Sequence, residues 1–238
     1  AAAREARYKM MADFCHENGI EYPLTAHQSD DQIETFLMNL SRGSGLYGLS
    51  AMLPKSERNG ITILRPLLEV SRDELKKYCD ENNIKYFIDS MNSDEHYTRV
   101  KMRKNRHLLN DKLDISDARI LLAIQNLART REWVDRYISN RIEMVARSWG
   151  ALFNTAFLFD EAEEIRLKFL GMLIQRIGGD SYPVRLNSLQ KALCNLQNDC
   201  KFTLGHCTIR RLNDRILIVP EGKRTSFRKR HEKRKKCI

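Results

Sequence analysis

Twice within the first 90 residues a short apolar run hands over to a helix-start signature, and this alternation does most to limit the folds open to the chain. Residues 22–26 read as a short strand, broken early by Pro23. Ser29, with Gln32 three residues on, then forms a capping box for a helix whose buried stripe is Ile33, Phe36, Leu37 and Leu40 and which Gly43 ends. Ile61–Leu64 reads as a second strand, followed by Ser71 and Glu74 as a second capping box for a helix to about Asn82. Residues 84–88 are a further strand or extended segment. A first helix, to about Asn18, places Ala3, Ala6, Met10 and Phe14 on one face, with Gly19 as its C-cap. The order predicts an α/β unit with too few strands for a complete doubly wound sheet.

Beyond Asp114 the pattern becomes helical. Long helical periodicities run over 116–149 and over 160–177, the second stopped by Gly178-Gly179, and a shorter one covers 187–198. Residues 202–219 read as a β-hairpin turning near Asn213-Asp214. The expected organisation is an incomplete α/β domain over 1–112, a mainly helical domain with a terminal hairpin over 113–222, and a basic tail over 223–238. That tail carries nine basic residues against Glu232, so it holds +8 of the formal net charge of +10 and leaves the body near neutral. It reads equally as a nucleic-acid contact or as a disordered solubilising end.

With 42% hydrophobic and 30% charged residues the chain can build a core and stay dissolved, and no apolar run approaches the roughly 20 residues of a membrane span. The six cysteines (Cys15, Cys79, Cys194, Cys200, Cys207, Cys237) include no C-x-x-C pair, which disfavours zinc ribbons and thioredoxin-like chemistry and fits reduced thiols in the cytoplasm. No signal peptide is expected in the charged first residues.

Three stretches could carry chemistry. In the block Thr25 to Thr35, Asp31 and Glu34 are three apart where a strand hands over to a helix, so their carboxylates share one face of the first turn. Such a pair holds an ammonium, or helps coordinate Mg²⁺ with nucleotide phosphates. The plainer reading is that Asp30 and its neighbours only offset the helix dipole, and that His27 is structural. Next, Arg42-Gly43-Ser44-Gly45, with Gly48 following, is a glycine-rich loop expected to be mobile; it suits backbone approach to a phosphate or base, or is simply a helix end. Third, Arg99, Lys101, Arg103, Lys104 and Arg106 follow one another without an acid, and on a helix Arg99, Arg103 and Arg106 line one face. A strip lacking counter-charges suits a phosphate backbone or charge on a transferring phosphoryl group; otherwise it is a solvated face.

Taken in order, these blocks resemble the tRNA(Ile)-lysidine synthetase family. The motifs are A-H-x-x-D-D-Q-x-E-T at Ala26 to Thr35, R-G-S-G-L-x-G-L at Arg42 to Leu49, R-P-L-L at Arg65 to Leu68, S-R-x-E-L at Ser71 to Leu75, and D-x-x-N with Y-x-R-x-x-x-R across Asp89 to Arg103. The resemblance implies a partial Rossmann-like N-type ATP pyrophosphatase domain. It also implies a two-step ligation using ATP, Mg²⁺, free lysine and tRNA: ATP adenylates the carbonyl oxygen of the wobble cytidine of an isoleucine tRNA, and the lysine side-chain amine displaces AMP. Carried over by position, Asp31, Glu34 and Arg99 are catalytic, the acids handling the amine and Arg99 a phosphate; His27, Asp30 and Arg103 bind nucleotide; Arg42, Gly43, Gly45, Lys101 and Arg106 meet RNA; no metal ligand is assigned.

The family's phosphate-cradling S-G-G-x-D-S loop does not occur here, the second histidine of the acidic block is Gln28, and the lysine-rich ending differs. A fragment that binds tRNA weakly and does not ligate is therefore expected. A tRNA-thiolating enzyme and a non-catalytic tRNA-binding module stay open as alternatives, the first disfavoured by the missing C-x-x-C.

Overall fold

The structure, a computed structural model, describes residues 2–87, 98–179 and 183–222. Its fold class is α/β, and its contacts divide the chain into two units, Ala1–Asp135 and Arg136–Ile238. The expected features at Ile88 to Tyr97, including Asp89, Ser90, Met91 and Asn92, and the basic tail from Lys223 lie outside the described residues.

In the first unit, α1 (Ala2–Glu17) packs on the hairpin of β1 (Lys55–Arg58) and β2 (Ile61–Leu64). Tyr8, Ala12 and Cys15 meet Ile61 and Ile63 in a small core. The stripe expected to be buried lies elsewhere on the helix: Met10 is 71% and Phe14 58% exposed. Two apolar stripes compete on this helix, and the one carrying Tyr8 faces the hairpin. β1, a polar strand absent from the sequence reading, is held in register by Asn59-Gly60, whose positive φ values of 51° and 78° make a two-residue turn of the kind that matches strand twist. Residues 22–26 form one parallel bridge, Leu24 to Leu64, rather than a strand; Pro23 contributes only its carbonyl, which accepts from the Leu64 amide at 3.0 Å.

Next come α2 (Ser29–Leu40), α3 (Leu46–Leu49), α4 (Arg72–Glu81), α5 (Thr98–Asn105), α6 (His107–Leu113) and the start of α7 (Asp117–Val145). The cap of α2 sits one residue earlier than expected: Gln28 is the N-cap and Asp31 its reciprocal partner. Its stripe holds at Ile33, Phe36 and Leu37, which pack with Ile120 and Ile124, but Leu40 is 51% exposed. The cap of α4 is as expected, with Ser71 Oγ accepting from the Glu74 amide and Glu74 Oε2 accepting from the Ser71 amide at 2.7 Å. Residues 84–87 form no strand. The loop expected to be mobile is tied down past Gly45: Asn39 Nδ2 donates to Gly48 O at 2.8 Å, Tyr47 Oη donates to Asp135 Oδ1 at 2.7 Å, and Arg131 Nη1 donates to Ser50 Oγ at 3.1 Å.

In the second unit, α7 ends at Val145 and the chain turns into β3 (Ala146–Arg147) and β4 (Gly150–Asn154), where a helix to Trp149 was expected. α8 (Thr155–Phe159), α9 (Glu163–Gly178) and α10 (Leu186–Gln197) follow, then β5 (Phe202–Leu204), β6 (Cys207–Leu212) and β7 (Arg215–Pro220). The expected hairpin is present, turning at Asn213-Asp214, but it belongs to a five-stranded antiparallel sheet of order β3-β4-β7-β6-β5. Ala151, Ile218 and Ile209 form one buried cross-strand row. Leu167, Leu170, Leu173 and Ile174 of α9 supply the opposing stripe, each fully buried side chain worth about 1.5–3 kcal/mol. Phe153, Phe157 and Phe169 stack edgewise at 5.6–5.8 Å beside them. The five described cysteines are free thiols, and no helix among the described residues is long and apolar enough to cross a membrane.

Candidate active site

The start of α2 presents three acids, one of them, Asp31, fixed through its carboxylate by the helix cap. Gln28 Oε1 accepts from the Asp30 amide at 2.8 Å, while Asp31 Oδ2 accepts from the Gln28 amide at 3.1 Å. Satisfying these end donors is what starts the helix here. It also fixes Asp31, whose other oxygen, Oδ1, lies 3.4 Å from Arg99 Nη2. Glu34, one turn on and only 1% exposed at its side chain, sits between two guanidiniums. Arg103 Nε donates to its Oε1 at 2.6 Å. Arg99 Nε lies 2.7 Å from its Oε2, yet the N–H is not aimed along that line, so both atoms are buried without a hydrogen bond.

Arg99, Arg103 and Arg106 do line one face of α5 and its junction with α6, but the strip is not short of counter-charge. α2 supplies it from more than 60 residues away: Asp31 and Glu34 to Arg99, Glu34 to Arg103, and Asp30 to Arg106 at 2.7 Å. Arg106 also reaches Asp117 Oδ2 at 2.8 Å, at the head of α7. Asp117 has a visible signal, an acid in a first helical turn, and was missed because its partner lies on another element. So was the Arg72 amide, which donates to Asp30 Oδ2 at 2.9 Å.

Burial pushes the Asp30 carboxyl up, but the Arg72 amide and the Arg106 guanidinium outweigh it and hold the group below its ordinary value of 3.8. A depressed carboxyl stabilises the fold fully above the unfolded value and loses that contribution as pH falls through the folded one. The stability gap between wild type and Asp30→Asn should therefore be full well above pH 3.8 and close below it. Urea melts on both sides of that value read this directly; a gap independent of pH would refute it. The Glu34 hydrogen bond raises Arg103 above the ordinary arginine value, keeping it cationic.

The remaining expected residues are less closely grouped. His27 Nδ1 is 3.0 Å from Thr25 Oγ1, just before the acidic turn. Arg42, Gly43 and Gly45 follow the C-terminal end of α2, which lies about 13 Å along the axis from Asp31. Lys101 is exposed on α5. Among the described residues no group of three His, Cys, Asp or Glu is arranged to hold a metal ion, because the acids of α2 are taken up by arginines.

Residues 1–110 match the PP-loop domain family. The chain is 38% identical over 93% of its length to a tRNA(Ile)-lysidine synthase of Wolbachia pipientis wMel, covering 53% of that protein. It is 35% identical to the tRNA(Ile)-lysidine synthase of the Brugia malayi Wolbachia, over 92% of the chain and 52% of the relative, and 33% identical to that of Ruegeria pomeroyi, over 94% and 52%. The chain thus spans about half the length of the curated relatives it matches. Over more than nine-tenths of its length the chain is thus similar to tRNA(Ile)-lysidine synthases, and over its first 110 residues to the PP-loop domain family.

Proposed function

We propose that this chain carries the amine-handling centre of an ATP-dependent carbon–nitrogen ligase, one that joins lysine to the wobble cytidine of an isoleucine tRNA with a CAU anticodon to give lysidine. The observation that carries this reading is Glu34, a buried carboxylate with one oxygen, Oε2, lacking an aligned donor, beside the Asp31 carboxylate, whose Oδ1 lies 3.4 Å from Arg99 Nη2. Asp30, Asp31, Glu34 and Asp117 face Arg99, Arg103 and Arg106, with Arg72 a fourth positive charge beside Asp30, so each guanidinium of the strip already has a carboxylate partner. An ammonium entering there shares Glu34 and Asp31 with Arg99, whereas a phosphate must compete with carboxylates for each guanidinium.

ATP supplies the activation of the base carbonyl oxygen. Asp31 and Glu34 orient the lysine amine toward that carbon; as the neutral amine forms the nitrogen–carbon bond, the carbon–oxygen bond to AMP breaks, AMP leaves, and Glu34 takes up the proton lost from the nitrogen. Arg99, the most exposed of the three arginines at 37%, is the one to meet a nucleotide phosphate, with Arg103 and His27 behind it. The acids form no metal cage, so Mg²⁺ enters this reading only with the nucleotide, and no step depends on a protein-held ion. Arg42, Gly43, Gly45 and Lys101 contact tRNA, as do the later residues 113–222 and the basic tail. Arg106, occupied by two acids, serves to join the starts of α2 and α7. The reaction belongs to the cytoplasm, where tRNA and ATP meet.

Equilibrium dialysis of radiolabelled lysine against the chain tests the centre by itself. Asp31→Asn and Glu34→Gln should each weaken binding about 10- to 100-fold, the range for a hydrogen bond to a charged group. Norleucine, which lacks the side-chain amine, should fail to compete. Equal competition by norleucine, or unchanged affinity in both variants, would rule the centre out.

A further inference from the structure

The second unit contains a cavity of about 440 Å³ between α8, α9, the end of α10 and β6, lined by Thr155, Phe159, Asp160, Arg166, Gln197 and Arg211 among others. Arg166 sets it apart. Four arginines among the described residues have a buried Nε with no hydrogen-bond partner: Arg65, Arg99, Arg131 and Arg166. Arg65 bonds Leu53 O and Ser56 Oγ through Nη1, Arg99 pairs with Asp31 and Glu34, and Arg131 bonds Ser50 Oγ. The Arg166 guanidinium has neither a hydrogen bond nor an ion pair among the described residues. Desolvating a donor with nothing to receive it is unfavourable, and native structures tolerate it chiefly where a water, an ion or a ligand completes the bond.

The rest of the lining agrees. Arg211 is anchored through Nε, which donates to Asn213 O at 2.7 Å, so its position is set while its two terminal nitrogens remain as donors. Thr155 adds a hydroxyl and Gln197 an amide, and Asp160 is the one acid among the lining residues, making the cavity net positive by one charge. Asp160 forms no ion pair with either arginine. Two guanidiniums with two neutral donors on four different elements suit an anion with several acceptor oxygens in a tetrahedral arrangement better than a planar carboxylate. We infer that this cavity is a phosphate site, taking one phosphate group either as a small free anion or as one phosphodiester of an RNA chain.

The test uses the full chain with two probes. Inorganic phosphate, followed by ³¹P line broadening with acetate as competitor, should bind wild type and lose about 10- to 100-fold in affinity in Arg166→Gln. An RNA hairpin, followed by filter binding across a salt series, reads the second source: loss of one phosphate contact lowers the salt slope by about one. Phosphate binding lost with the RNA slope unchanged identifies a small anion, and a lowered slope identifies a phosphodiester; either supports the site. Arg166 has no internal partner to lose, so the Tm of Arg166→Gln should match wild type, and Arg211→Gln serves as the independent second variant. Acetate competing as well as phosphate, or neither probe responding to either variant, overturns the assignment. Neither probe requires lysine or ATP, so failure here leaves the ligase reading untouched, and failure there leaves this site standing.

Discussion

Glu34→Ala is expected to lower the unfolding free energy by about 3–5 kcal/mol, the scale for stripping one partner from a buried ion cluster. The side chain is 1% exposed and stands between Arg99 and Arg103, so its removal leaves two guanidiniums side by side with their shared anion gone. Glu34→Gln keeps an acceptor for Arg103 but not the charge, and should fall between wild type and alanine. In chemical melts the midpoint should move with little change in slope, and the Tm should drop on the order of 10 °C. Replacing both members, Glu34→Leu with Arg103→Met, should recover part of the loss and not all of it, because Arg99 then keeps Asp31 alone as its counter-charge. Losses that simply add across Glu34→Leu, Arg103→Met and the double variant would show that the cluster is not coupled.

Gly178→Ala is expected to destabilise the second unit by about 3 kcal/mol or more, at or beyond the upper end of overpacking penalties. A Cβ at Gly178 would lie 1.9 Å from Gly205 O, a backbone atom in the turn between β5 and β6, and 3.3 Å from Cys207 Sγ. Neither the helix end nor the turn can yield by rotating a side chain. Gly179→Ala meets nothing within 4 Å and bears only the strain of φ 74°, about 1–2 kcal/mol. The two adjacent glycines thus separate by mechanism: Gly178 allows contact and Gly179 allows the chain to turn. Thermal melts that rank Gly179→Ala as the worse of the two would contradict the packing described for α9.

What was legible in the sequence follows the range of the interactions. The Ser71–Glu74 box, the strand at Ile61–Leu64, the helices α9 and α10 and the turn at Asn213-Asp214 rest on neighbours within a few residues, and each was readable. β1 was not, because Lys-Ser-Glu-Arg has no apolar alternation and its only signal was Asn59-Gly60. The end of α7 was hidden because the helical spacing of Ile138, Ile142 and Val145 leads smoothly into a segment that pairs as β3. For α1, periodicity offered two stripes and only the hairpin chose between them. Among the candidate residues, Asp31, Glu34, Arg99 and Arg103 could be singled out from residue type and spacing. Their mutual contact could not, since it spans α2 and α5. The same blindness turned a paired arginine strip into an apparently unpaired one.

Asp31 gives one oxygen to the cap of α2 and the other to Arg99. Whatever loosens the opening turn of that helix therefore also unsets the rotamer that faces the guanidinium, so the ion pair and the cap of α2 stand or fall together.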